Sequence, residues 1–567
     1  MPAEFRLLAN VIDLFQNTIR PATVHVAEGR IRSIEPTGAA PPDPALPYAL
    51  PGFVDAHVHV ESSLLVPAEF ARLAVVHGTV ATVSDPHEIG NVLGVAGVDY
   101  MLRSARQVPF KFCFGAPSCV PATPFETAGA EITALDIEQL FQNPEIGYLA
   151  EMMNWPGVLH RDELVMEKIR LARQYGRPVD GHAPGLRGPD ALRYAQAGIS
   201  TDHECFTREE ALDKLVAGMK VLIREGSAAR NFEALIDLLP EHYEHLMFCS
   251  DDKHPDTLVL GHINQLVQRA VARGLDVLQV LRVACRNPVE HYRLPVGLLR
   301  PGDPADFIVV GSLTDFDVRQ TYLDGEVVAE NGRSLLPAAP VEVVNNFTAY
   351  AVRPEEFQVP APTPGNGYPA PSTHQPPPNN EPPTMRVIEC FDGQLITARH
   401  DLPARVENGL VVPDVSRDIL KLTVVNRYQQ APPAVAFIQG FGLRRGALAS
   451  SVGHDSHNIT AVGCDDASLA RAVNLVMQAR GGLAAVGPGG QELLLPLPVA
   501  GLMSAQEGPA VAAAYTAVDA LAKQLGSPLQ APFMTLSFMA LLVIPSLKLS
   551  DQGLFDGEAF RFVEAVV

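Results

Sequence analysis

Four histidines and two carboxylates in this chain have the spacing and setting of a metal site: His57, His59, Glu151, His182, His203 and Asp251. His57 and His59 close the stretch PGFVDAHVHV, an apolar run opened by the turn residues Pro51 and Gly52, which reads as a short buried strand. Residues two apart on a strand share a face, so both imidazoles can aim at one point beyond the strand's end. That is half of a transition-metal site. The plainer reading of His-x-His alone is two satisfied histidines at a strand edge.

The remaining four residues lend the pair its meaning. Glu151 follows the apolar run IGYLA, where a buried carboxylate is costly unless paired or metal-bound. His182 lies in DGHAP, His203 in TDHE and Asp251 in FCSDDKHP. Together they offer enough donors for two cations and a carboxylate between them.

A fold must bring them to one place. Between residues 51 and 295 short apolar strands alternate with helical stretches, the α/β pattern of parallel sheets. Strand-like runs end near His59, Asp85, Pro117, Glu151, His182, His203, Glu225 and Asp251. Eight such ends predict a (β/α)8 barrel of the TIM type, in which chemistry sits at the C-terminal ends of the strands. Residues 1–50 predict short strands joined by a Glu28-Gly29 hairpin, too few to hold a core. Their expected partner is 296–345, with strands near 305–310 and 320–323 and a turn at Asp324-Gly325. Residues 346–384, rich in Pro and Asn, predict a linker or strap, disordered over 362–382 in its plainest reading. Residues 385–567 predict a C-terminal α/β domain, with strands at 419–425 and 434–438 and helices at 469–477 and 509–524.

The bulk numbers fit this reading. A chain of 567 residues exceeds one core, and 47% hydrophobic with 19% charged residues is globular. The formal charge of -21 argues against a nucleic-acid partner, which needs a basic face. Seven scattered cysteines without a CxxC pair exclude a zinc knuckle and point to reduced thiols. With neither a signal-peptide pattern nor a long apolar run, a cytoplasmic protein with no membrane partner is expected.

The motifs of the chain carry a family resemblance. PGFVDAHVHVESS, SDPHE, EMMN, DGHAPGL, TDHE, SDDKHPD and, far downstream, GHDSHNI resemble the amidohydrolase superfamily and, within it, the bacterial and archaeal adenine deaminases. The likeness runs over nearly the whole chain. It implies that His57, His59 and Asp251 bind one metal and His182 and His203 the second, with Glu151 where many relatives carry a bridging lysine. Manganese or iron is the implied pair, with zinc an alternative. Two cations sharing a water lower its pKa from 15.7 to about 7. Asp251 is then expected to take a proton and pass it towards the amine leaving C6 of adenine, yielding hypoxanthine and ammonia.

Further residues carry looser expectations. Asp85, His87 and Glu88 can add metal or purine contacts, or simply cap a turn. Glu61 and Glu204, each close to a ligand histidine, can orient imidazoles or act as acids. Ser227 can meet the purine edge or start a helix. His454 and His457 in HDSHN can help enclose the substrate or form an Asx-type turn. A homo-oligomer is expected. The alternatives are an amidohydrolase acting on a cyclic amide, and a non-catalytic barrel protein.

Overall fold

The computed structural model describes residues 4–38, 41–362 and 382–567. The chain divides into two compact units. The first comprises Met1–Val120, Ala130–Glu342 and Met503–Ala512; the second comprises Pro121–Gly129, Val343–Leu502 and Ala513–Val567.

In the first unit, strands β1 (Phe5–Asp13), β2 (Thr18–Ala27), β3 (Arg30–Pro36) and β4 (Tyr48–Pro51) precede eight parallel strands. These are β5 (Phe53–Val58), β6 (Thr79–Ser84), β7 (Lys111–Ala116), β8 (Ile146–Met152), β9 (Val179–Gly181), β10 (Thr201–Asp202), β11 (Lys220–Arg224) and β12 (Leu246–Cys249). They form a five-stranded run β5 to β9 and a three-stranded run β10 to β12. Ser200 donates its backbone N–H to Val179 O at 2.8 Å, joining the two runs. Asp251 donates to His57 O at 2.9 Å, which closes the last strand onto the first. The result is a (β/α)8 barrel whose strands end within two residues of the expected positions. These strands are buried along most of their length, as a parallel sheet covered on both faces requires.

After the barrel come β13 (Phe307–Val310), β14 (Val318–Leu323), β15 (Glu326–Glu330) and β16 (Arg333–Ser334). They join β1–β4 in one sheet of order β16-β15-β14-β13-β4-β1-β2-β3, so both flanks of the barrel meet at the antiparallel pair β13 and β4. Val11, Val24, Val26, Phe307 and Val309 pack its core. Both expected hairpins form. Their turns take positive φ at Glu28 (54°) and Gly29 (74°), and at Asp324 (45°) and Gly325 (78°). Right-twisted strands demand this backbone, and it favours glycine at the second position. Gly29 is required for room as well, because a Cβ there would lie 2.9 Å from Asp324 O.

The second unit holds an eight-stranded mixed sheet that includes Leu420–Val425 and Ala434–Gln439. Helix Asp466–Ala479 lies on it through Leu469, Val473, Val476 and Met477, against Ala447, Ile459, Ala461 and Ala484. Asp465 caps this helix, accepting from Ser468 N at 2.7 Å. The expected strap is seen in part. Val359–Pro360 pairs with Leu410–Val411, Phe357 is fully buried, and Val352 N donates to Asn474 Oδ1 at 2.9 Å. Of the stretch 362–382 read as linker, 363–381 lie outside the described residues. Among the described residues no helix is long and apolar enough to cross a membrane.

Candidate metal centre

Five barrel strands deliver the six donors. His57 lies on β5 and His59 just past it, Glu151 on β8, His182 after β9, His203 after β10 and Asp251 after β12. All are buried, His57 completely. Glu151 lies at the centre of the group. Its Oε2 is 2.9 Å from His182 Nδ1 and 3.1 Å from His203 Nε2, while Oε1 is 3.4 Å from His59 Nε2. Asp251 Oδ1 lies 3.1 Å from His59 Nε2 and 3.5 Å from His57 Nε2. The rings of His57 and His203 stack at 4.0 Å, and His182 Nδ1 is 3.3 Å from His203 Nε2. The chain brings Asp251 there with φ of +52°, a left-handed backbone costing roughly 1–2 kcal/mol. Strain of that kind persists where its surroundings enforce it, here the paired backbone of β5.

These donors fit divalent cations. His59 Nδ1 faces the Asp85 carbonyl at 3.2 Å and must donate to it, which leaves the Nε2 lone pair directed at two carboxylates. Neither ring nitrogen of His57 makes a hydrogen bond, nor does His182 Nε2. Buried polar atoms are rarely left so. The electrostatics agree. Burial would push the Glu151 carboxyl up, but the His182 charge and bonds from His182 and His203 hold it well below the usual range. Burial would likewise raise Asp251, but Arg224, His57 and His59 hold it well down. Burial lowers His182, yet Glu151 and Glu204 outweigh it and bring it to about 9. The cluster therefore favours added positive charge, and imidazole with carboxylate suits Mn, Fe or Zn.

Asp85 braces the centre: its Oδ2 accepts from Glu151 N at 3.2 Å and its Oδ1 from His87 N at 3.0 Å. It thus tethers the first residue of helix His87–Leu93, although the N-cap position itself is Pro86 and carries no side-chain cap. His87 Nδ1 lies 3.4 Å from Glu151 Oε1 and its Nε2 3.4 Å from Glu88 Oε1, so His87 stands beside the candidate donors. Glu61 Oε1 accepts from Ile89 N at 3.2 Å, and burial pushes its carboxyl up to about 7. Glu204 Oε1 is 3.8 Å from His182 Nδ1 and 3.9 Å from His203 Nε2, with both its oxygens bound to Arg224.

Ser227 has partners within the loops. It accepts from His254 N at 2.9 Å and pairs with Thr257 Oγ1 at 2.8 Å, bracing the loop after β12. It starts no helix; the next one, Phe232–Leu235, follows Asn231. His454 and His457 lie in a buried turn of the second unit. There His457 N donates to Gly453 O at 2.7 Å, and the His454 ring stacks on Phe538 at 5.2 Å.

Sequence reasoning missed two sets of positioning residues. Asp55 Oδ1 accepts from Ser250 N at 2.9 Å, and its Oδ2 lies 2.8 Å from His262 Nε2, locking β5 to the end of β12. Lys214, fully buried, donates to Ala183 O at 2.7 Å and pairs with Glu210 and Asp202 at 3.0 Å each, tying the loops of His182 and His203. A lone carboxylate in an apolar run was the available signal for Asp55, whereas Lys214 directly follows Asp213 and gave none; local pattern names the partner of neither.

Comparison with known proteins follows the same lines. The amidohydrolase family profile matches residues 48–328, and that of the adenine deaminase C-terminal domain matches 394–561. An adenine deaminase of Salinibacter ruber is 54% identical over 569 residues, covering 100% of both chains. One from a Sulfurovum species is 52% identical, covering 98% of this chain and 99% of its own. One from Methanosarcina mazei is 50% identical, covering 91% and 92%. Among solved structures, N-acetyl-D-glucosamine-6-phosphate deacetylase from Mycobacterium smegmatis matches 57% of this chain and 100% of its own, at 17% identity and a TM-score of 0.44.

Proposed function

This chain belongs to the adenine deaminase family, and from that premise we propose that His57, His59, Glu151, His182, His203 and Asp251 hold the divalent metal centre at which adenine is hydrolysed. The protein is a hydrolase that converts adenine and water to hypoxanthine and ammonia. The observation that carries the site assignment is the convergence of four imidazoles on Glu151 and Asp251 within one buried cluster.

Divalent cations in that cluster supply Lewis acidity and a water acidified towards neutral pH. The protein's own residues do the rest. Asp251, held ionised, turns Oδ1 towards the imidazoles of His57 and His59 and is the carboxylate proposed to accept a proton. In the reaction one proton of water goes to the departing amine and one to the purine ring, as the C6–O bond forms and the C6–N bond breaks. Asp251 is the carrier proposed for the first. Glu204, with both oxygens on Arg224, serves orientation of the His182 and His203 side rather than acid chemistry. Burial of the cluster keeps bulk water from competing for the same charges.

Manganese or iron is the proposed metal, with zinc the alternative. A cytoplasmic homo-oligomer is the proposed form. Ser227, His454 and His457 remain proposed substrate contacts, tested by the KM for adenine of single alanine variants. The deciding experiment is an assay of Mn-reconstituted protein on adenine beside an apo control, following hypoxanthine and ammonia. Absence of both from the loaded protein would overturn the reading.

A further inference from the structure

Strand β11 lies between two ligand-bearing neighbours and supplies no ligand of its own. Its last residue, Arg224, is nevertheless one of the largest fully buried side chains in the protein. A buried guanidinium is tolerated only among opposite charges, and those it meets belong to the metal centre. Nη1 lies 2.5 Å from Asp251 Oδ2 and also binds Glu204 Oε1; Nη2 lies 3.1 Å from Glu204 Oε2. With Oδ2 taken, Asp251 presents only Oδ1 to His57 and His59. Glu204, gripped through both oxygens, faces His182 and His203. The backbone of the same strand end is fixed as well. Asn231 Oδ1 accepts from Arg224 N at 2.6 Å, while Asn231 Nδ2 donates to the carbonyls of His203 and Cys205 at 3.1 Å each.

We propose that Arg224 is a positioning residue that couples the two halves of the ligand set, holding Asp251 to one-oxygen presentation and tying it through Glu204 to the side of His182 and His203. The proposal rests on the metal-site assignment made above. A planar fork is what the task needs, because a single guanidinium must reach two carboxylates in fixed directions, whereas an ammonium offers charge without that geometry.

The test uses wild type, Arg224→Met and Arg224→Lys, each stripped and titrated with Mn while free Mn is followed by electron paramagnetic resonance. Kinetics on adenine at saturating Mn run alongside. Arg224→Met is expected to lose about 10–100-fold in affinity for at least one Mn, the range found when groups that orient metal ligands are removed. Its kcat should fall while KM stays within about threefold, and Arg224→Lys should recover part of both losses. Arg224→Met with wild-type Mn affinity and kcat, differing only in thermal midpoint, would overturn the proposal. Should Arg224→Met fail to fold, Arg224→Lys decides: full wild-type Mn affinity and kcat overturn the proposal, and intermediate values uphold it. A wild type that binds two Mn yet leaves adenine intact would sink the activity and leave the role of Arg224 to the metal titrations alone.

Discussion

Among the described residues two arginines are fully buried, one in each unit, and their surroundings differ in kind. Arg224 faces carboxylates, which raise its already high pKa despite burial. Arg427 faces neutral oxygens: Nη2 donates to Ala500 O at 2.6 Å and Asn345 Oδ1 at 2.9 Å, and Nη1 to His457 O at 3.3 Å. Its guanidinium also lies 4.8 Å from the Phe347 ring, and burial lowers its pKa. The first cation balances an acidic cluster whose members must point in set directions. The second shapes loops, among them the turn that carries His454 and His457. The ionised partners of Arg224 belong to the candidate metal centre, whereas the neutral acceptors of Arg427 belong to loops.

That contrast can be broken or sharpened by experiment. Among substitutions the largest effect belongs to Asp251→Asn, which keeps the shape but removes the proposed proton acceptor; kcat on adenine should fall about 10²–10⁴-fold with the fold retained. Activity within tenfold of wild type would move the proton carrier elsewhere. Chelation followed by dialysis should abolish turnover, and Mn should restore it, with metal content measured throughout. Arg427→Met should instead destabilise the second unit by about 1–3 kcal/mol, the cost of leaving its buried acceptors unpaired, read as a lower denaturant midpoint, while bound metal per folded chain is unchanged. Loss of metal there would erase the distinction between the two arginines.

The smallest effect is a pH dependence. Glu126, buried in the second unit, is pushed up to about 8 by burial and by the charge of Asp455. Its pKa is higher folded than unfolded, so the native state holds the proton more tightly. Its contribution is fully present below about pH 4.5 and is lost as pH rises towards 8. Glu126→Gln should flatten that slope in denaturation curves between pH 5 and 9, and an unchanged slope would assign the dependence to other groups.

Much of this architecture can be read from local pattern. Continuous apolar runs bounded by turn residues mark the barrel strands, and a ligand-type residue at five of eight strand ends marks the rim. Helix Asp466–Ala479 shows its Asp465 cap and apolar spacing plainly. The inclusion of Pro121–Gly129 in the second unit and Met503–Ala512 in the first was not legible, since the former holds no helix or strand and the latter boundary falls within the helix Gly508–Gln524, where local pattern shows no division. Ser227 was misread as a possible helix start, because its bonds run to Thr257 and His254, some thirty residues on.

The amino-acid order alone determined which side chains can bind metal and that strands would carry them, because residue chemistry and hydrophobic period are local properties. Only the closed barrel decided how they meet. Joining β12 to β5 forces the left-handed backbone at Asp251, turns one of its oxygens towards the imidazoles and delivers the other to Arg224. Those approaches span up to two hundred residues of chain, and no local pattern encodes a distance of that kind.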